Sequence, residues 1–450
     1  MDLPISWLTS WTGIDASTSA GLLSHFASFP FAILFYNYHP TVPSAPSRES
    51  VSAAIGVILI ILAYGWDTIH LFLHWLIAYV FLITFPKHKL GKYTFMVTMC
   101  HLLLNHAYNI IFHYGEIVPI DYTGTLMLCT MRLSSLAFSI QDSTKPKEKL
   151  TELQLKYRIE QELSLHQHFT YTFSFVGLLF GPQIFYNDYR SFMRDSSSKK
   201  SSTNIYYQAI RTFFGGCVAA LLYLLCLPQF DVKRNYAEDV LASGFLYKHL
   251  VLYVSMFAAK CKYYFIWLTA QSSCLFAGLG EHDISITATV NPVQIELCTS
   301  LKQFVDNWNI FAGKWLRFAV YERVSRQKAL YTFAVSAIWH GFYPGYAIMF
   351  VPLAFYSVLG RKLHKVVRPR FQASQLLRVI YAIITWTGTA ILIMFNGTGF
   401  QLLFFDKISQ VQLGFYCYPH LVALLLFLVV PSPSRSSSQT TFQSHETDQK

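Results

Sequence analysis

Long apolar segments alternate with short polar connections along most of the chain. We outline about eleven apolar segments, at residues 20–37, 51–66, 68–86, 94–113, 122–140, 169–186, 205–227, 244–272, 329–358, 376–396 and 411–430. A helix needs about 20 apolar residues to cross a bilayer, and several of these segments reach that length. The pattern therefore predicts an all-α polytopic membrane protein with roughly 9–11 transmembrane helices.

The composition supports this prediction. Of the 450 residues, 53% are hydrophobic and only 13% are charged, whereas an average soluble chain has about a quarter charged residues. The formal net charge of +11 is concentrated in short basic clusters, at residues 87–92, 145–158, 194–200 and 361–370. Such clusters commonly record topology and contact membrane lipids, and they are also suited to an anionic substrate. Nucleic-acid binding is not indicated, because no soluble segment combines a basic stripe with interleaved aromatic residues.

The chain has no evident internal repeat, so the inverted-repeat design of many transporters finds no support. We predict a single transmembrane domain over residues 1–430. Residues 431–450 are rich in Ser, Thr and Gln and lack apolar periodicity, which predicts a disordered C-terminal tail.

One polar segment, residues 281–328, leads directly into the apolar segment at 329–358. Within it, aromatic residues recur at alternating four- and three-residue spacings, at Phe304, Trp308, Phe311, Trp315 and Phe318. The basic residues of the same stretch are Lys302, Lys314, Arg317 and Arg323. This pattern predicts one amphipathic helix over residues 301–324, lying at the membrane interface or lining an aqueous cavity.

A histidine follows this helix at an unusual place. His340 lies in the sequence SAIWHGFYPGY, where Gly341 and Pro344 interrupt an apolar segment that is otherwise long enough for a membrane helix. An ionisable residue at membrane depth is a functional-site hypothesis by default. Asn309 in the amphipathic helix is its natural partner, because an amide donates a hydrogen bond without adding charge. Asp306 and Asn307 lie beside it, and the spacing alone does not choose among the three.

Other histidines raise a metal-site alternative. His70 and His74 are four residues apart, and His101 and His106 are five apart, a pattern similar to the histidine boxes of di-iron desaturases. Those enzymes also need HxxHH boxes, which this chain lacks, and no CxxC pair is present. We therefore interpret these four histidines as packing or interface residues, and we predict no metal site.

Taken together, the sequence motifs resemble those of the membrane-bound O-acyltransferase (MBOAT) family, and in particular its lysophospholipid acyltransferases. The motifs are WNI at Asn309, WHGFYPGY at His340, the helical stretch 121–142 that ends in a polar couplet, and the Gly-Pro segment at 173–189. The resemblance implies that Asn309 and His340 are the active-site pair and that the fold encloses an intramembrane reaction chamber. We expect Trp308, Trp339, Gly341 and Tyr346 to bind substrate.

The resemblance also implies the reaction. A fatty acyl group would pass from acyl-CoA, a co-substrate, to the free hydroxyl of a lysophospholipid in phospholipid remodelling, with no permanently bound cofactor. The wording of the motifs favours lysophosphatidylserine or lysophosphatidylethanolamine, and choline and inositol headgroups remain alternatives. The implied location is the endoplasmic reticulum membrane. Two other functions stay open, acylation of a protein or sterol acceptor by the same fold and, more remotely, a non-enzymatic transporter.

Overall fold

The architecture comes from a computed structural model, which describes residue 9 and residues 14–38, 44–112, 121–194 and 202–431. All regular secondary structure within these ranges is helical, so the predicted all-α class is confirmed. Of the predicted disordered tail, residues 432–450 lie outside the described residues.

Up to Arg194, the described residues form eight helices that pack around a common core. They are α1 (Ala16–Tyr38), α2 (Ala45–Tyr64), α3 (Thr68–Thr84), α4 (Lys87–Phe112), α5 (Tyr122–Asp142), α6 (Glu152–Tyr157), α7 (Leu165–Phe173) and α8 (Tyr186–Arg194). Short 3₁₀ turns at Gly65–Asp67 and Lys147–Lys149 connect them. The pairs α1–α2, α2–α7 and α4–α5 lie against each other.

The second part contains the remaining helices. They are α9 (Ser202–Cys226), α10 (Glu238–Leu241), α11 (Phe245–Phe276), α12 (Pro292–Glu296), α13 (Leu301–Asn307), α14 (Ile310–Ala319), α15 (Lys328–His340), α16 (Pro344–Val366), α17 (Gln375–Leu402), α18 (Phe405–Gly414) and α19 (Tyr418–Val429). The 3₁₀ turns are Val232–Tyr236, Ile284–Ile286, Tyr321–Arg323 and Arg368–Phe371. The pairs α9–α11, α15–α16 and α16–α17 pack together.

Six helical stretches are long and apolar enough to cross a membrane in the part of the chain that the structure describes. They are Ala16–Tyr38, Ala45–Thr84, Lys87–Phe112, Asn204–Cys226, Pro344–Val366 and Gln375–Leu402. The bent pair α18 and α19, with an angle of 69° between them, makes a seventh if it counts as one span. This number is below the predicted 9–11 for three reasons. The segments at 51–66 and 68–86 form one stretch, α5 and α11 are long helices that are not apolar enough to be counted, and two other segments do not form one long helix. The segment at 169–186 leaves the helical conformation after Phe173, and the segment at 329–358 is divided at His340.

Helix α5 is the centre of the first part, and it is buried on nearly all sides although it contains an arginine. Asp121 begins it by accepting a hydrogen bond from the backbone N–H of Thr123, as an N-cap residue does. The buried guanidinium of Arg132 donates to the carbonyl oxygens of residues 171, 172, 174 and 176, at 2.5–3.2 Å. These carbonyls belong to the end of α7 and to the irregular segment that follows it. Both NH₂ groups of this buried charge are hydrogen-bonded, and only its Nε lacks a partner among the described residues.

Candidate active site

Helix α15 ends at His340, as the sequence predicted from the glycine and proline that follow. Gly341 has a φ of +115°, a conformation that residues with a side chain rarely adopt. Pro344 then begins α16, where its missing N–H is not needed and its ring favours the first helical turn. The chain therefore stops and restarts within one apolar segment, and His340 lies at the break.

The imidazole of His340 is half-buried among aromatic side chains. Its ring stacks on Phe350 at a centroid distance of 5.2 Å, meets the edge of Phe400 at 5.0 Å and lies 5.3 Å from Tyr346. Within the described ranges, no protein group hydrogen-bonds to either ring nitrogen, although many other polar side chains of the chain are paired. The imidazole nitrogens are thus available to a substrate hydroxyl.

A second histidine, His106 of α4, lies beside the same break. Its Nε2 is 3.2 Å from the carbonyl oxygen of Trp339, so this nitrogen donates a hydrogen bond to the residue before His340. A Cβ atom added to Gly341 would come within 3.2 Å of the His106 ring. The sequence pattern does not indicate this contact, because the spacing of His106 from His101 suggests only packing or an interface. The structure adds His106 to the site.

The predicted amphipathic helix over residues 301–324 is divided, and that prediction was wrong. Helix α13 ends at Asn307, α14 begins at Ile310, and a 3₁₀ turn follows at Tyr321–Arg323. Asn309 interrupts the helix with a φ of +43°, in the left-handed region that asparagine tolerates better than most residues. The backbone N–H of Ile310 then donates to the carbonyl of Thr289 at 2.8 Å instead of continuing a helix.

The structure distinguishes Asn309 from its two polar neighbours. Asp306 forms an ion pair with Lys302 one turn earlier, and the Asn307 amide donates to the carbonyl of Gln303 at 2.8 Å. Both side chains are therefore used within α13. The Asn309 side-chain oxygen accepts from the N–H of Ala312 at 3.3 Å, which caps α14. Its NH₂ group is then the part of the side chain that is left to donate to another molecule.

Aromatic rings connect the surroundings of Asn309 to His340. Trp308, next to Asn309, lies 5.7 Å from Tyr263, which lies 6.1 Å from Phe400, and Phe400 touches His340. No sequence motif indicates Tyr263 or Phe400, since they lie far away along the chain on α11 and α17. The two predicted active-site residues therefore border one continuous aromatic cluster.

The four residues predicted to bind substrate occupy different environments. Tyr346 and Trp308 are half-buried in the aromatic cluster, and Gly341 forms the break itself. Trp339 is buried in the core, where its indole N–H donates to the Met127 carbonyl at 3.3 Å and its ring lies 5.4 Å from Trp315. Substrate binding by all four, and the enclosed chamber, stay predictions.

The basic residues of the 301–324 segment are all engaged within the protein. Lys302 pairs with Asp306, and Arg317 pairs with Glu322 at 3.0 Å. Lys314 donates to the Ser285 carbonyl at 2.6 Å, and burial lowers the pKa of its ammonium group.

Arg323 joins this segment to the end of α5. Its guanidinium binds both carboxylate oxygens of the buried Asp142, at 2.9 and 2.7 Å, and it covers the ring of Phe138 at 4.1 Å. Its Nε also donates to the carbonyl of Phe318 at 3.0 Å. This bidentate pair fixes the chain shortly before α15 begins.

The other histidines of the metal-site alternative contact each other or neighbouring side chains. His74 Nδ1 lies 2.9 Å from His101 Nδ1, and His74 Nε2 lies 3.2 Å from the hydroxyl of Thr130. His70 stacks on Tyr122 at 4.7 Å. No group of three or more His, Cys, Asp or Glu side chains suited to a metal ion occurs in the described part of the chain.

Comparison with known proteins agrees with these features. The sequence model of the membrane-bound O-acyltransferase (MBOAT) family matches residues 107–405. This range contains both Asn309 and His340. The chain belongs to this family. As a member of the MBOAT family, it is an O-acyltransferase of the membrane.

Individual relatives of the MBOAT protein extend the match over nearly the whole chain. Membrane-bound glycerophospholipid O-acyltransferase 2 of Rattus norvegicus is 30% identical over 92% of this chain and 85% of its own length. Lysophospholipid acyltransferase 1 of Arabidopsis thaliana is 28% identical over 96% of this chain and 98% of its own length. Lysophospholipid acyltransferase 6 of Drosophila melanogaster is 29% identical over 95% of this chain, which spans only 63% of that longer protein.

Proposed function

We propose that this MBOAT protein transfers a fatty acyl group from acyl-CoA to the free hydroxyl of a lysophospholipid. The observation that carries the proposal is His340. It ends a helix inside an apolar region, its ring nitrogens have no hydrogen bond within the described residues, and aromatic side chains surround it. Such a position suits a base that must meet a lipid hydroxyl away from bulk water.

His340 is the proposed general base. An alcohol is a poor nucleophile at neutral pH, and an imidazole that takes its proton during attack accelerates the reaction by about 10²- to 10⁴-fold. The lipid oxygen forms a bond to the thioester carbonyl carbon while its proton moves to His340. When the tetrahedral intermediate collapses, the C–S bond breaks, and the imidazolium returns the proton to the leaving thiolate of CoA. The step needs no oxidant and no acyl-enzyme.

Asn309 is the proposed hydrogen-bond donor to the thioester carbonyl. Its side-chain oxygen is engaged with Ala312, so its NH₂ group can face the oxygen on which negative charge develops. One well-placed donor of this kind typically contributes about 10²- to 10³-fold. An alternative within the same proposal is that this amide orients the substrate beside His340.

The names of the relatives support the proposed acceptor. The names of the rat, plant and fly proteins refer to glycerophospholipid or lysophospholipid acyltransferases, and their identities to this chain are almost equal. A lysophospholipid is therefore the proposed acceptor, with lysophosphatidylserine and lysophosphatidylethanolamine as the preferred headgroups. Phospholipid remodelling in the endoplasmic reticulum membrane is the proposed setting.

The test measures acyl transfer by purified protein in nanodiscs. Radiolabelled oleoyl-CoA and a panel of lysophospholipids are offered to wild type, His340→Ala, Asn309→Gly and His88→Ala, which removes an exposed histidine at the start of α4. We expect transfer to one or two headgroups, with loss of turnover only in the first two variants. Undiminished transfer by His340→Ala would show that His340 is not the general base. A folded wild type that acylates no lysophospholipid would instead favour a protein or sterol acceptor.

A further inference from the structure

The backbone at Asn309 is held on both sides by the segment that leads into α12. Before the turn, the carbonyl oxygen of Asn307 accepts a hydrogen bond from the N–H of Asn291 at 3.0 Å. After the turn, the N–H of Ile310 donates to the carbonyl of Thr289 at 2.8 Å. The left-handed φ of Asn309 lies between these two bonds. A residue with a side chain keeps such a conformation only where the surrounding structure imposes it, so this segment fixes the backbone that carries the Asn309 amide.

Helix α11 anchors the segment at its first end. The hydroxyl of Thr289, which is fully buried, lies 3.1 Å from the carbonyl oxygen of Trp267 and 3.1 Å from Oε1 of Gln271. The same Oε1 accepts from the Thr289 backbone N–H at 3.3 Å. A buried hydroxyl is costly to leave unpaired, so these bonds keep Thr289 in place against α11.

Helix α11 also anchors α12, at the other end, through a carboxylate. Glu296 is the last residue of α12, and its two carboxylate oxygens accept from the Lys260 ammonium at 2.7 Å and from the Tyr264 hydroxyl at 2.6 Å. Its backbone carbonyl accepts from the indole N–H of Trp386 on α17 at 2.8 Å. Lys260 and Tyr264 are both buried. A carboxylate that is bonded at both oxygens to buried partners holds its helix in a defined position.

The anchoring residues of α11 follow the period of a helix. Lys260, Tyr264, Trp267 and Gln271 are spaced by four, three and four residues, which places them on one side of α11. Two of them also contact Trp308, whose ring centroid lies 6.0 Å from that of Tyr264 and 5.0 Å from that of Trp267. One face of α11 therefore holds both the segment around α12 and the tryptophan that precedes the proposed donor.

We propose that Thr289 and Glu296 are positioning residues that hold the Asn309 amide in the direction that acyl transfer needs. The inference rests on the proposed function, in which this amide donates to the thioester carbonyl. The two residues act through the backbone of their segment and not on the substrate itself. Because a donor to the developing oxyanion works in the transition state, its displacement should lower kcat and leave KM nearly unchanged.

Hydrogen–deuterium exchange of the full chain in nanodiscs tests the positioning without turnover. Thr289→Val removes one buried hydroxyl, and Glu296→Gln removes the charge that pairs with α11. The matched control is Asp239→Asn, which breaks an exposed ion pair with Arg234. We expect peptides that cover residues 307–313 to exchange about tenfold faster in both variants and at the wild-type rate in the control. Peptides of α5 report global unfolding and should exchange as in wild type.

Two outcomes of the exchange experiment decide about the turn. Faster exchange that is confined to residues 307–313 supports the proposal, whereas wild-type exchange in both variants would overturn it. Thr289→Val leaves every charge paired, so it remains informative if Glu296→Gln does not fold.

Steady-state kinetics then connect the position of the amide to catalysis. In the otherwise wild-type chain, Thr289→Val and Glu296→Gln should each lower kcat about tenfold with KM nearly unchanged. In an Asn309→Gly background, the same substitutions should change kcat less than about twofold, because no amide is left to misplace. Equal losses in both backgrounds would show that the two residues only stabilise the fold, and would overturn the proposal. Normal turnover by Asn309→Gly would refute the donor role in the proposed function, whereas the exchange rates would still decide whether the two residues hold the turn.

Discussion

Two histidine environments in this MBOAT protein look alike in sequence and differ in structure. His74 and His340 both lie in apolar helical segments, but His74 has a partner at each ring nitrogen, His101 at 2.9 Å and Thr130 at 3.2 Å. His340 has aromatic neighbours and no hydrogen bond to a ring nitrogen within the described ranges. A histidine whose nitrogens are satisfied by its own protein stabilises the fold, whereas one that is left open can serve a substrate. The hydrogen-bond partners of the ring nitrogens distinguish His74 from His340, whereas the apolar pattern of the sequence does not.

The sharpest way to test this difference is to remove the open histidine. We expect His340→Ala to lower kcat about 10²- to 10⁴-fold, because the proton of the acceptor hydroxyl loses its base. Thermal unfolding should shift only modestly, since the half-buried ring loses aromatic contacts but no hydrogen bonds within the described residues. Initial rates at saturating substrate give kcat, and His88→Ala should match wild type. Normal turnover by His340→Ala would show that the histidine without hydrogen bonds is not the base.

The next largest effect is expected at Asn309. Asn309→Gly keeps a residue that tolerates a φ of +43° and removes the amide. The cap on α14 is lost as well, but glycine is tolerated at an N-cap position, so we expect the main effect on kcat, a fall of about 10²- to 10³-fold. The matched control is Asn307→Ala, which removes an amide that is bonded within its own helix at Gln303. Steady-state kinetics give kcat for both variants. Equal losses in the two would mean that the segment needs its helices and not the Asn309 amide.

A smaller effect is expected at His106, which acts through the backbone next to His340. His106→Phe removes the N–H that donates to the Trp339 carbonyl, so the base should be misplaced and kcat should fall about tenfold, with KM nearly unchanged. His106→Gln restores a donor and should recover part of the rate. A loss of stability without a change in kcat, or no difference between Phe and Gln, would show that His106 only fills space.

The smallest effect on turnover is expected at the satisfied histidine. His74→Leu leaves His101 and Thr130 without their partner, so the free energy of unfolding should fall by about 1–3 kcal/mol while kcat stays within about twofold. The unfolding midpoint and kcat of the same sample provide both values, with His88→Leu as the control. A large loss of turnover at unchanged stability would contradict the structural role of His74.

The sequence predicted the features of this fold that depend on neighbouring residues. Apolar length indicated a helical membrane protein, and Gly341 with Pro344 indicated the break at His340, because both act through the local backbone. The prediction of one uninterrupted helix over 301–324 was wrong for the opposite reason, because the break depends on a distant segment. The aromatic spacing continues across Asn309, but the left-handed backbone there and the bond from Ile310 to Thr289 depend on a distant segment.

Contacts between distant segments could not be predicted in this way. His106 and Gly341 are far apart along the chain, and no period within α4 indicates that the ring of His106 faces the break. Likewise, nothing near Arg132 indicates that four carbonyls around α7 accept its hydrogen bonds. The number of spans was also harder to predict than their presence, because apolar composition does not say whether a segment forms one helix or two.

The pairing of Arg323 with Asp142 has a consequence for how this chain tolerates insertions. Asn309 is tied to the segment before it through Ile310 and Thr289, and the chain is fixed again at Arg323, before α15 carries it to His340. The exposed stretch from Ser325 to Gln327 lies between that anchor and α15. An epitope tag spliced in after Arg326 should therefore be accommodated as an added loop, and the same place is where homologous chains could differ in length without altering their chemistry.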